Sequence, residues 1–123
     1  MRRQDEFRLA CVVADYLARA LPVEAIWTHF PAGENRSAIT GARLKRMGTA
    51  RGWPDYLIIY RGKLLGLELK AEGGSVSPHQ RHIGESFKAH GFDWSVIKST
   101  EEVEKFLTRR GIPLRATVLA RAA

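Results

Sequence analysis

The most constraining stretch of this chain is the run DYLIIYRGKLLGLELK, residues 55–70. Two segments rich in Tyr, Leu and Ile flank Arg61 and Gly62. The pattern predicts a β-hairpin with strands over 55–60 and 63–70 and a two-residue turn. With that turn Tyr60 pairs with Lys63, and the residue numbers of every cross-strand pair add to 123. Asp55 then stands directly opposite Glu68. Side chains alternate along a strand, so Asp55, Leu57 and Ile59 share a face with Gly66, Glu68 and Lys70. Leu65, Leu67 and Leu69 point the other way, into a core. A bulge at Gly62 would shift this register.

Two opposed carboxylates on one sheet face repel each other. A divalent cation between them turns that cost into a binding site. Mg²⁺ is the expected ion, with Mn²⁺ as a substitute. It needs only one or two carboxylates, with water and phosphate oxygens completing its shell. The backbone carbonyl of Leu69 is a further candidate ligand. Lys70 follows on the same face, placed to orient or deprotonate a water, or to offset charge developing on a phosphate. Such a set suits phosphodiester hydrolysis. The plainer alternative is that Glu68 and Lys70 are surface residues of an edge strand, since an acid and a base two positions apart are common.

The other elements follow from periodicity and caps. A first helix is predicted over 3–20, with Phe7, Ala10, Cys11, Val13, Ala14, Leu17 and Ala18 forming its apolar stripe. Cys11 is therefore expected to be a buried structural thiol. Glu6 falls on the same stripe as Ala10, Val13 and Leu17. It is either a carboxylate carried toward the sheet or an exposed first-turn acid complementing the helix dipole. A strand is predicted over 25–30, a loop around Pro31, Gly33 and Asn35, and a helix over 36–47 that Gly41 weakens. Ser77 and Pro78 open a helix closed by Gly91, with Gln80 completing a capping box. Gln80 also shares a stripe with Gly84 and Phe87, so it either faces the sheet or serves the cap alone. Gly84 inside this helix points to a close backbone approach. A strand over 94–98 and a helix capped by Ser99 follow, and Gly111 and Pro113 end it. The basic tail 114–123 has no clear pattern. This order predicts an α/β sandwich with a mixed sheet flanked by helices, in one domain spanning 1–123.

Composition matters for partners. Twenty Lys and Arg against 13 Asp and Glu give a formal net charge of +7, which favours a polyanion, DNA first. Arg36, Arg43, Lys45, Arg46 and Arg51 precede the acidic strand and are expected to contact phosphates. The alternative is a solvated basic helix face. One cysteine cannot form an internal disulfide, and a reducing, cytoplasmic setting is expected. No membrane span and no leader segment are expected. His79 and His82 lack a third ligand at suitable spacing and are expected to face solvent; His29 is expected to pack. Trp27, Trp53 and Trp94 are expected in core or interface positions rather than as base-stacking platforms, although Trp53 lies near enough to the acidic pair to leave stacking open.

The run GWPDYLIIYRGKLLGLELKAEGGSVSPHQRHIGESFKAHGF resembles a VRR-NUC domain, a branch of the PD-(D/E)XK nuclease superfamily. The likeness lies in G-x-P-D, then E-x-K, then S-x-x-Q opening a Gly-closed helix. It extends upstream through ENRSAITGARLKRMGTARG and covers roughly residues 4–108. Trp53 stands where a small aliphatic residue is more usual. The resemblance implies a restriction-endonuclease-like core. It implies metal ligation by Asp55 and Glu68, a catalytic Lys70, an active-site Gln80, and Glu6 as the acidic residue of the first helix. Stand-alone relatives resemble phage-encoded nucleases of branched DNA, which would act within a bacterial host cell. A Mg²⁺-dependent endonuclease acting on branched DNA such as Holliday junctions is the expected activity. A homodimer is expected, because one site cuts one strand and paired incision is simplest with two sites about a two-fold axis. The competing expectations are a non-catalytic DNA-binding module of the same fold and an assembly protein whose basic surface is incidental.

Overall fold

The structure, a computed structural model, describes residues 2–31 and 37–118. Its elements are α1 (Arg2–Ala20), β1 (Ile26–His29), α2 (Ala38–Arg46), β2 (Tyr56–Tyr60), β3 (Lys63–Leu69), α3 (Pro78–Ala89), β4 (Asp93–Ile97) and α4 (Thr100–Arg109). The element order matches the periodicity, with ends shifted by a residue or two. The sheet runs β1-β2-β3-β4. β1/β2 and β2/β3 are antiparallel and β3/β4 is parallel, so the sheet is mixed.

The hairpin register is the one expected from a two-residue turn. Tyr60 pairs with Lys63 and Tyr56 with Leu67. Arg61 and Gly62 have φ of 42° and 79°, the double positive-φ turn whose twist matches antiparallel strands. No bulge intervenes, so Asp55, one residue before β2, lies opposite Glu68.

Alternation divides the sheet into two faces. Tyr56, Ile58, Leu65, Leu67 and Ile97 are buried against Val13, Tyr16 and Leu17 of α1 and Val103 and Leu107 of α4. The opposite face carries Gly66 and Glu68 and is covered by α3. Two close approaches set that layer. A Cβ on Gly84 would lie 2.3 Å from the Trp94 ring, and one on Gly66 would lie 2.7 Å from Pro54 and 3.1 Å from Phe87. The close approach expected at Gly84 is thus made to a β4 indole.

The stripe of α1 differs from the expected one. Cys11 is exposed and Phe7 is 69% exposed, and Ala18 also faces out. The helix carries two apolar rows, and the buried row is Val13, Tyr16, Leu17 and Ala20. Tyr16 decides the rotation. Its hydroxyl lies 3.1 Å from Glu104 Oε1 and 3.1 Å from the Ala116 carbonyl. Cys11 is consequently not the buried thiol that periodicity predicted. The tail is tied down as far as it is described. Arg115 donates from its backbone to the Ala20 carbonyl and from its guanidinium to the Leu21 and Ala18 carbonyls. It thereby caps the C-terminal end of α1, where a cation complements the dipole. Among the described residues no helix is long and apolar enough to cross a membrane.

Candidate active site

The loop Gly52-Trp-Pro-Asp55 positions the first carboxylate. Gly52 has φ of +89°, and a Cβ there would lie 2.4 Å from the His79 carbonyl oxygen. Only glycine lets this loop cross the first turn of α3. Pro54 then packs on Gly66, and Asp55 arrives at the end of β2. Its Oδ2 accepts a hydrogen bond from the Leu69 backbone N–H at 2.7 Å. Asp55 is therefore clamped to the partner strand beside Glu68.

Glu68 is 1% exposed. Its Oε2 accepts a hydrogen bond from Gln80 Nε2 at 3.1 Å, and its Oε1 is buried with no hydrogen-bond partner. Its pKa is pushed up to about 9, by burial first, then by the negative charge of Asp55 and a hydrogen bond with it. Glu6 adds to the rise, whereas Lys70 opposes it. Glu6 of α1 and Lys70 after β3 are thus both close enough to act electrostatically on this carboxyl.

Gln80 resolves its two readings by doing both jobs. Its Oε1 accepts from the Ser77 backbone N–H at 2.9 Å, and Ser77 Oγ accepts from the Gln80 backbone N–H at 3.2 Å. The capping box fixes the amide, and the free Nε2 reaches Glu68. Cap and site share one side chain.

A buried carboxylate oxygen without a donor is costly unless a proton or cation meets it. The oxygens of Asp55 and Glu68 are hard donors of the kind Mg²⁺ prefers, and they fit that ion. Among the described residues no three His, Cys, Asp or Glu side chains converge as a closed metal cage. A two-carboxylate Mg²⁺ site does not require one.

Beside Asp55 and Gln80 opens a cleft of about 1110 Å³. Lys45 and Arg51 line it, as do Phe30, Trp53, Gly41 and His79. Of the expected phosphate contacts, Lys45 and Arg51 thus line the same cleft as Asp55. Arg43 and Arg46 are exposed on α2 but do not line the cleft. Arg36 lies outside the described residues. His82 is exposed, and His29 packs edge-on against Tyr56 with centroids 5.2 Å apart. Phe30 and Gly52 were not among the expected site residues. Gly52 had a sequence signal in G-x-P-D; Phe30 had none, because only the fold brings it to Trp53.

Two solved structures resemble this one. One described as a "VRR_NUC domain protein" matches with a TM-score of 0.68 and 26% identity, over 85% of this chain and 86% of that one. Another, described as a "VRR_NUC domain", matches with a TM-score of 0.55 and 23% identity, over 85% of this chain and 95% of that one. No family profile and no curated protein matches the chain.

Proposed function

We propose that this chain, which has the restriction-endonuclease-like fold of solved VRR_NUC domain proteins, is a Mg²⁺-dependent endonuclease hydrolysing DNA phosphodiester bonds. The observation that carries this reading is the orphaned, buried Glu68 Oε1 near Asp55, which itself lines a cleft together with Lys45 and Arg51. Asp55, Glu68 and the Leu69 carbonyl would hold the ion. When bound, Mg²⁺ acidifies a water and polarises the phosphoryl oxygen. Lys70 orients the attacking water or offsets the charge that develops on phosphate. Gln80 fixes the rotamer of Glu68, and the Asp55–Leu69 hydrogen bond fixes Asp55. Glu6 shares the negative field of the site.

Branched DNA is the substrate we assign, with a homodimer supplying two sites for paired incision. Exposed Ile26 and Ile59, cross-strand partners at the open end of the sheet, offer apolar surface for a second copy. The test is cleavage of linear, flapped and four-way DNA with Mg²⁺ or Mn²⁺, alongside light scattering. Cleavage is expected to stop with EDTA, and Ca²⁺ is expected to support binding with little turnover. Full activity in metal-free buffer overturns the reading. Gln80→Ala refines it. If the amide only capped α3, the loss would be about 0.5–2 kcal/mol of stability, with turnover following the folded fraction. A larger fall in turnover, measured where the variant is fully folded, is expected.

A further inference from the structure

The cleft beside Asp55 is larger than phosphodiester hydrolysis needs, and its walls differ from those of a phosphate groove. Its volume of about 1110 Å³ is more than a single drug-sized ligand usually fills. Trp53 and Phe30 line it as a tilted aromatic pair, with centroids 6.3 Å apart. α2 contributes Ala38, Gly41 and Ala42 to the lining. These small residues leave the space open: a Cβ on Gly41 would meet nothing within 4 Å. Lys45 and Arg51 supply positive charge along the same cleft.

We infer that this cleft receives an unpaired nucleotide adjoining the scissile phosphate, its base stacked on Trp53 and its backbone held by Lys45 and Arg51. A paired base keeps its faces within the duplex stack, whereas an unpaired one offers a face to an aromatic side chain. Such stacking is sequence-tolerant, because every base has a π-face. An open cleft with one aromatic wall, one small-residue wall and two cations fits that ligand. The inference deepens the nuclease reading and rests on it for the identity of the nearby phosphate. It would account for the branched-DNA substrate proposed above by local unpairing at the cut.

The test is binding of a fluorescent oligo-dT strand, and of a blunt duplex, to the full chain in EDTA at fixed salt, where no strand is cut. Gly41→Phe projects into the cleft from a position with open space and ordinary helical backbone, and is expected to fold; Trp53→Leu removes the platform. Both are expected to weaken oligo-dT binding roughly tenfold, and duplex binding by less than about twofold. Gly41→Phe binding oligo-dT like the parent overturns the inference, whatever Trp53→Leu does. So does a parallel fall in both affinities. Cleavage with Mg²⁺ separates the two readings. A parent protein that cuts DNA but shows no cleft-dependent oligo-dT binding loses the cleft alone. One that binds as expected but never cuts loses the nuclease reading and keeps the cleft.

Discussion

The two helices that border the candidate site are held in opposite ways. α3 is fixed at every turn. Ser77 and Gln80 form a capping box, Gly52 lets a loop cross its first turn, Gly84 sits on Trp94, and Phe87 is buried. α2 has a cap, with Ser37 Oγ accepting from the Thr40 backbone N–H at 3.1 Å, but it buries none of its residues. Ile39 and Met47 on and just after it are 68% and 80% exposed. The helix that reaches Glu68 through Gln80 is locked by packing, and the helix that lines the cleft is not. On the proposed function, chemistry needs positions fixed to a fraction of an ångström, while a wall meant to accept DNA of varied shape gains from low local stability.

The largest expected effect lies on the rigid side. Asp55→Asn, Glu68→Gln and Lys70→Ala are each expected to lower cleavage by roughly 10²–10⁴-fold with the fold intact. Nicking assays beside thermal melts check this, and a Lys70→Ala protein cutting near the parent rate removes the role given to that lysine.

The second effect is a pH dependence of the metal-free protein. The folded Glu68 pKa of about 9 lies above the ordinary value of 4.5. Between these values the folded state binds more protons than the unfolded one, so stability falls as pH rises through that window. Glu68→Gln is expected to remove this slope. Its advantage over the parent grows across the window and vanishes below it. Urea denaturation in EDTA at about pH 5, 7 and 9 measures both slopes; equal slopes contradict the expectation.

Two glycine substitutions sharpen the contrast between the helices. Gly84→Ala improves helix propensity but drives a methyl into the Trp94 ring, and is expected to cost about 1–3 kcal/mol. Gly41→Ala meets open space in α2 and is expected to stabilise by about 0.5–1 kcal/mol. Denaturant midpoints decide both. A Gly84→Ala protein as stable as the parent would show that α3 is less firmly seated than its packing implies.

Much of the site was legible because it is local. The turn at Arg61 and Gly62 sets the hairpin register, and the register alone sets Asp55 against Glu68. The capping box at Ser77 and Gln80 needs only four residues. Cys11 illustrates the opposite case. Both apolar rows of α1 satisfy helical periodicity, and a helix considered alone has no means of choosing between them.

That choice belongs to the tertiary structure. Tyr16 turns toward Glu104, a residue 88 positions later, and the row containing Cys11 is left in solvent. The same holds for the Glu68–Gln80 hydrogen bond, the pairing of Phe30 with Trp53, and the cleft beneath α2. Strand register, turn type and helix caps are short-range. Hydrogen bonds and steric limits within a few residues decide them, so the sequence by itself determined the hairpin and the acidic pair it carries. Burial, charge coupling and cavity shape depend on surfaces that meet only after the chain has closed on itself. The fold alone therefore decided which helix face is buried, why Glu68 Oε1 lacks a donor, and where space is left open near Asp55.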